Sequence, residues 1–177
     1  MREIGGHIAP FSANYRSNMG RKSTKENKNV YQQAREDQGL TREAAAQLLE
    51  FISDDRIEKI ESDKAVARPE EILKMAECYK HPELCNYYCS HECPIGQRYV
   101  PEVSLKDLSQ ISLEVLASLN ALEKQKNRLI EITVDGIVHE DEKEDFFRIR
   151  SQLADMNKAI SALTLWVDNA LNTGKIE

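Results

Sequence analysis

The stretch Thr41-Arg42-Glu43-Ala44-Ala45-Ala46-Gln47-Leu48-Leu49-Glu50-Phe51-Ile52-Ser53-Asp54-Asp55-Arg56-Ile57-Glu58-Lys59-Ile60-Glu61-Ser62 decides the fold. Thr41 is of a type that caps helix N-termini, and the alanine-rich Arg42 to Leu49 behind it predicts a helix. Glu50-Phe51-Ile52 is a short connection. Ser53 is a second cap, and a further helix follows from Asp54 to about Ser62. Asp54 and Asp55 occupy its first turn, where the helix dipole favours negative charge. Ile57 and Ile60, three residues apart, form its buried face. Two short capped helices joined by a tight connection predict a helix-turn-helix.

The flanks extend this pattern. Val30 to Gln38 predicts a helix closed by Gly39, a residue able to take the left-handed position after a helix end. Arg68-Pro69 breaks the chain, and Pro69 suits the first position of a helix running Glu70 to Tyr79. Its apolar stripe is Ile72, Leu73, Met75 and Ala76. Residues 30–80 therefore read as a bundle of short helices.

Gly39-Leu40-Thr41-Arg42-Glu43, Arg56-Ile57-Glu58-Lys59-Ile60-Glu61 and Pro69-Glu70-Glu71-Ile72-Leu73-Lys74-Met75-Ala76 resemble the XRE family of helix-turn-helix regulators, which includes the phage Cro and lambda-type repressors. The resemblance covers residues 30–80. It implies a five-helix domain whose third helix enters the major groove of double-stranded DNA, usually as a dimer on a palindrome. It places Arg42 facing a phosphate and Asp54, Asp55 and Lys59 where the family reads base edges. The implied DNA-binding set is Arg42, Ser53, Asp54, Asp55, Arg56 and Lys59. Three features depart from the family pattern. The turn between the second and third helices is one residue longer, with Glu50 and Phe51 where glycine is usual. Asp63 replaces the glycine that commonly follows the third helix. Two aspartates at reading positions can accept from cytosine N4, but they repel nearby phosphates.

The 177-residue chain has a net charge of −6, unevenly spread. Residues 1–30 carry six basic residues, Arg2, Arg16, Arg21, Lys22, Lys25 and Lys28, against Glu3 and Glu26. Residues 1–29 lack helical or strand periodicity and read as a disordered basic arm, able to touch phosphate or simply to solubilise. Within it, Met19, ahead of Gly20-Arg21-Lys22, reads as the natural start.

All four cysteines fall between Cys78 and Cys93. Cys85 and Cys89 lie one helical turn apart, Cys93 continues the row, and Cys78 approaches from the preceding helix. Four thiolates suit tetrahedral zinc or an iron–sulfur cluster. His81 and His91 are reserve ligands. The alternative is no metal, with the thiols acting as small semi-buried hydrophobes. Residues 81–103 then form a Cys-rich segment and linker, non-helical from Pro94 to Val103.

Residues 104–177 read as a long antiparallel helical hairpin. Its first helix starts at Ser104 as N-cap and carries Leu105, Leu108, Ile111, Val115, Leu119, Leu122 and Leu129. Its second helix repeats every seven residues through Phe146, Ile149, Leu153, Met156, Ile160, Leu163, Val167 and Ala170, a coiled-coil pattern. Leu113, Leu116, Ile130 and Leu165-Trp166 fall off this seam, and the leftover apolar surface predicts a homodimer through residues 104–172. The Asp135-Gly136 connection reads as a turn rather than a calcium loop.

The expected fold class is all-α: a lambda-repressor-like bundle, a Cys-rich segment and a helical hairpin. Aromatic residues are few at 6%, which disfavours sheet. No apolar run approaches the roughly 18 residues of a membrane span, and no apolar leader opens the chain. The expected location is the cytoplasm. The four histidines are scattered and no Gly-rich phosphate loop is present, so neither an enzyme nor a small-molecule substrate is expected. The function predicted is a DNA-binding transcriptional regulator. The alternative is a protein-interaction or scaffold module that keeps the fold without reading DNA.

Overall fold

A computed structural model of the chain describes residues 28–176. The expectations for the basic arm and for a start at Met19 lie almost wholly outside the described residues. Eight α-helices follow in order: α1 Val30–Asp37, α2 Arg42–Leu49, α3 Asp54–Glu61, α4 Pro69–Tyr79, α5 Glu83–Tyr87, α6 Gly96–Tyr99, α7 Leu108–Ile132 and α8 Lys143–Asn172. A π-helical turn, Tyr88–Glu92, continues α5, and a 3₁₀ turn, Glu140–Glu142, leads into α8. No strand occurs among the described residues, and the all-α class read from the sequence holds.

The helix starts are fixed by side-chain caps, of which Thr41 and Ser53 were expected from the sequence and Asn29 was not. Asn29 Oδ1 accepts from the Gln32 amide at 3.0 Å, Thr41 Oγ1 from Ala44 at 3.1 Å, and Ser53 Oγ from Arg56 at 3.2 Å. Each bond satisfies one amide that the helix itself leaves without a partner. Pro69 opens α4, and Glu71 reaches back to accept from the Arg68 amide at 2.7 Å. Gly39 closes α1 with φ +68°.

These helices enclose one core. Tyr31 and Ala34 of α1, Ala45 and Leu49 of α2, Ile57 and Ile60 of α3, and Ile72, Met75, Ala76 and Tyr79 of α4 are buried together with Ile52 and Ala67. Leu84 of α5 belongs to the same cluster, and Tyr87 and Tyr88 pack on it. The core thus runs past residue 80 into the Cys-rich segment, supplying the fifth helix of the bundle. Tyr31 ties the end of this segment down: its hydroxyl donates to Glu92 at 2.7 Å, and burial with the Glu92 carboxylate pushes its pKa far up.

Two local expectations are corrected. Residues 94–103 are not wholly non-helical, because α6 forms within them. It can form because residue 96 lacks a side chain: a Cβ there would sit 2.0 Å from the Cys89 carbonyl oxygen. The first hairpin helix begins at Leu108, not Ser104, with Asp107 as its N-cap residue. The chain ahead is held extended by Asn86, whose side chain donates to the Pro101 carbonyl and accepts from the Val103 amide, each at 3.0 Å.

Helices α7 and α8 pack against each other along their length, joined near the tip by Arg128–Asp145 at 2.8 Å. Asp135 forms the expected turn, accepting from the Ile137 amide at 3.0 Å. The row on α8 that is at least half-buried is Ile149, Gln152, Met156, Ala159, Leu163, Trp166 and Ala170. It shares only part of the stripe read from the sequence. Leu153 and Ile160 of that stripe are each 46% exposed, whereas Leu165, read as off the seam, is buried. Ala159 and Ala162 are buried alongside Ile149 and Leu165, so small residues share the contact face with large ones.

Candidate DNA-binding surface

The surface is built on α3, and its position is set by an ion-pair network behind it. Glu61, at the end of α3, has a side chain only 1% exposed. Its carboxylate accepts from Arg35 Nε at 2.5 Å, Arg35 Nη2 at 2.9 Å and Arg42 Nε at 2.8 Å. Arg35 also donates through Nη1 to the Leu40 carbonyl at 2.5 Å. One carboxylate thereby links α1, the α1–α2 turn, α2 and α3. Burial alone would lower the Arg35 pKa, but the hydrogen bonds and charge of Glu61 raise it, so the guanidinium stays charged.

A second pair fixes the other end of α3. Arg56 Nε and Nη2 meet Glu71 Oε1 and Oε2 at 2.8 and 2.7 Å, and Nη2 also donates to the Val66 carbonyl at 2.9 Å. The Arg56 hydrogen bonds outweigh burial and hold the Glu71 carboxyl below its usual range. This two-point geometry aligns α3 on α4.

The predicted DNA-binding residues therefore divide. Arg42 and Arg56 are engaged inside the domain, although Arg42 keeps 37% of its side chain exposed. Ser53 spends its hydroxyl on the helix cap. Asp54, Asp55 and Lys59 are exposed, on the outer face of α3 with Glu58. Lys64 reaches Glu58 at 3.7 Å. Sequence reading missed Arg35, Glu61 and Glu71. Their signal was positional: Arg35 lies four residues after Tyr31 and Glu61 four after Ile57, so both fall on inward faces where a lone charge would be untenable.

The turn before α3 carries the longer connection noted in the sequence. The Phe51 amide donates to the Leu49 carbonyl at 2.7 Å, closing a γ-turn around Glu50. Glu50 has φ 63° and ψ −57°, the rare γ-turn form that a side chain strains. Phe51 is thrown outward and is 62% exposed beside α3. Asp63 takes φ 57° after α3, the left-handed conformation that glycine usually supplies there.

The four cysteines do not converge on one point. Cys78 donates to the Leu48 carbonyl at 3.7 Å, against α2. Cys85 packs on the bundle core. Cys93 accepts from the Gly96 amide at 3.5 Å. Burial pushes the Cys78 and Cys85 thiols up, with the neighbouring Cys89 adding to the effect at Cys85. Among the described residues no three His, Cys, Asp or Glu side chains form a metal-holding group, and the four thiols are not arranged as one site. His81 is hydrogen-bonded to Glu83 at 2.7 Å, and His91 is stacked on Tyr87 with centroids 4.4 Å apart. The π-helical turn at 88–92 breaks the regular spacing on which the row Cys85, Cys89, Cys93 depended.

The fold of the bundle and this surface define a helix-turn-helix domain. Residues 32–83 match the family described as a helix-turn-helix domain, in agreement with the segment read from residues 30–80. That class is one of DNA-binding domains, and DNA is the partner it indicates. No curated protein and no solved structure matches the chain. Among the described residues no helix is long and apolar enough to cross a membrane.

Proposed function

We propose that the chain is a transcriptional regulator of XRE type that lays α3 in the major groove of double-stranded DNA as a homodimer. The observation that carries this reading is α3 itself. It is capped, aligned from behind by Glu61 and Glu71, and presents Asp54, Asp55 and Lys59 outward. Asp54 and Asp55 can select cytosine through N4, while Lys59 supports a guanine or a phosphate. Since the face is mainly acidic, phosphate attraction comes from Lys59 on the face and from the basic residues Arg21, Lys22 and Lys25 outside it. Dimerisation is supported by apolar side chains that the hairpin leaves uncovered: Leu113 and Leu116 on α7, Leu153 and Ile160 on α8.

Fluorescence anisotropy of the full chain with pooled genomic fragments, across a salt series, tests DNA binding. Affinity that falls with salt and sharpens on selected fragments is expected. Lys59→Ala is expected to lower it by roughly ten- to a hundredfold if Lys59 contacts a base. Absence of salt-sensitive binding at micromolar protein defeats the reading. Sedimentation of Leu153→Glu/Ile160→Glu against the parent tests the dimer, and the variant is expected to be monomeric.

A second reading is favoured by the commitment of Arg42 and Arg56 to internal carboxylates. With two of its three predicted cations engaged, the surface also suits a protein-interaction module, and that reading survives if the DNA test fails.

A further inference from the structure

The outer side of the α2–α3 unit concentrates negative charge. Glu50, Asp54, Asp55 and Glu58 are exposed there, against Lys59 and Lys64. Phe51 stands uncovered at the same edge. A free carboxylate surface of this kind is poorly suited to wait bare for a polyanion. It is well suited to hold a cationic segment.

The chain carries such a segment at a fixed distance. Arg21, Lys22 and Lys25 precede the first described residues, with Glu26 the single acidic residue among 20–27. The point from which they extend is tethered to α3. Asn29 Nδ2 donates to the Ile60 carbonyl at 2.8 Å and to Asp63 Oδ1 at 3.2 Å, at the C-terminal end of that helix. Lys28 is already engaged on α1, with Nζ 2.6 Å from Glu36. From Asn29, four residues of extended chain reach about 13 Å and eight about 26 Å. The eight-residue α3 is only about 12 Å long. Residues 21–25 therefore span from their tether to Asp54 and Asp55 with length to spare, and the intramolecular link keeps their effective concentration high.

We propose that in the DNA-free protein the basic segment Arg21–Lys25 docks on the acidic face of α3, pairing with Asp54, Asp55 and Glu58. The α3 face is covered by the chain's own arm, and the same cations are released to phosphate when DNA arrives. The contact thus withholds the arm's cations from weakly binding anions. It stands independently of the DNA reading, because its test contains no DNA.

Limited trypsin cleavage of the full chain at low salt, followed by mass spectrometry, reads the arm at Arg21, Lys22 and Lys25. Cleavage there is expected to quicken roughly five- to tenfold in Asp54→Asn/Asp55→Asn/Glu58→Gln, and likewise in the parent chain relative to an unstructured peptide control once salt screens the pairs. Circular dichroism of the variant checks that the bundle is intact. As a second measurement, Arg21→Glu/Lys22→Glu/Lys25→Glu is compared with the parent by amide NMR. Shifts at Phe51, Asp54, Asp55 and Glu58, absent from α8 and independent of protein concentration, are expected. Equal cleavage rates in variant and parent, unmoved α3 amides, or shifts that grow with protein concentration would each overturn the proposal.

Discussion

Replacing Glu61 by glutamine should be the most damaging conservative substitution in the bundle. Gln keeps the shape but removes the charge that three guanidinium hydrogen bonds at 2.5–2.9 Å converge upon. Its amide group also turns donors toward Arg35, whose side chain is only 6% exposed. Arg35 is then left buried with only the Glu36 carboxylate, 3.8 Å away, as counter-charge, which destabilises by up to about 3–5 kcal/mol. For a domain of this size each kcal/mol lowers Tm by about 4–8 °C, so a fall of roughly 15–30 °C is expected. The chain supplies its own reporters. Five of the six tyrosines, Tyr31, Tyr79, Tyr87, Tyr88 and Tyr99, lie in or beside the bundle, and the single tryptophan, Trp166, lies in the hairpin. Urea unfolding followed by near-ultraviolet tyrosine dichroism should shift to lower midpoint, while the Trp166 fluorescence transition stays in place. Arg35→Met/Glu61→Leu, which removes the buried charges together, should recover most of the loss. A Glu61→Gln variant within about 1 kcal/mol of the parent, at unchanged urea slope, would refute the network as the element that positions α3.

Other outcomes follow from the same coordinates. Glu50→Gly should stabilise the bundle by about 1 kcal/mol, because glycine relieves the strained γ-turn by more than it adds to unfolded-chain entropy; a lower thermal midpoint would contradict that turn. Gly96→Ala should destabilise by about 2–3 kcal/mol, since the new methyl meets the Cys89 carbonyl rather than a movable side chain, and an unchanged urea midpoint in the tyrosine signal would contradict the packing. Acid should weaken the α3–α4 contact. The Glu71 pKa is depressed below its ordinary 4.5 by Arg56, so that stabilisation is complete above 4.5 and is lost as pH falls through the lower folded value, which carboxyl NMR titration in parent and Arg56→Met measures. At the hairpin tip the sign reverses. The hydrogen bond that His139 donates to the Asp135 carboxylate raises the His139 pKa above 6.5, so its contribution is whole below 6.5 and vanishes as pH rises through the folded value; a titration midpoint at or below 6.5 would remove that bond. Single Cys→Ser variants at 78, 85, 89 and 93 should differ in stability according to burial, whereas an equal, large loss at all four together with stoichiometric metal in the purified chain would restore a shared metal site.

Helix starts and the first four helices were legible because capping is local chemistry. Asn29, Thr41, Ser53 and Pro69 act within four residues of themselves, so one sequence suffices to place them. The fifth helix was implied only by family resemblance, since Glu83–Tyr87 is too short to show periodicity and owes its place to Leu84 entering a core made elsewhere. The α8 contact face was read correctly at Phe146, Ile149, Met156, Leu163, Val167 and Ala170, but Leu153 and Ile160 of the same stripe are exposed while Ala159, Ala162 and Leu165 are buried. Large apolar residues mark a stripe in sequence, and small ones that join the contact do not stand out. The site was half legible. Asp54, Asp55 and Lys59 are surface residues by spacing alone, whereas the fate of Arg42 and Arg56 depends on Glu61 and Glu71, 19 and 15 residues away. The cysteine row failed as a geometric inference because a π turn, invisible in composition, resets the angle between successive positions.

The Asn86 side chain, grasping Pro101 and Val103 with both ends of one amide, pins the junction between bundle and hairpin, with His91 and Glu102 paired beside it at 3.6 Å. Helix α7, about 37 Å long at its 25 residues, hangs from that pin as a lever. A turn of about 10° at the pin sweeps the far end through roughly 6 Å, close to the advance of two base pairs along a duplex. Asn86→Asp, which can still accept from Val103 but no longer donates to Pro101, slackens one side of the pin and lets the lever swing.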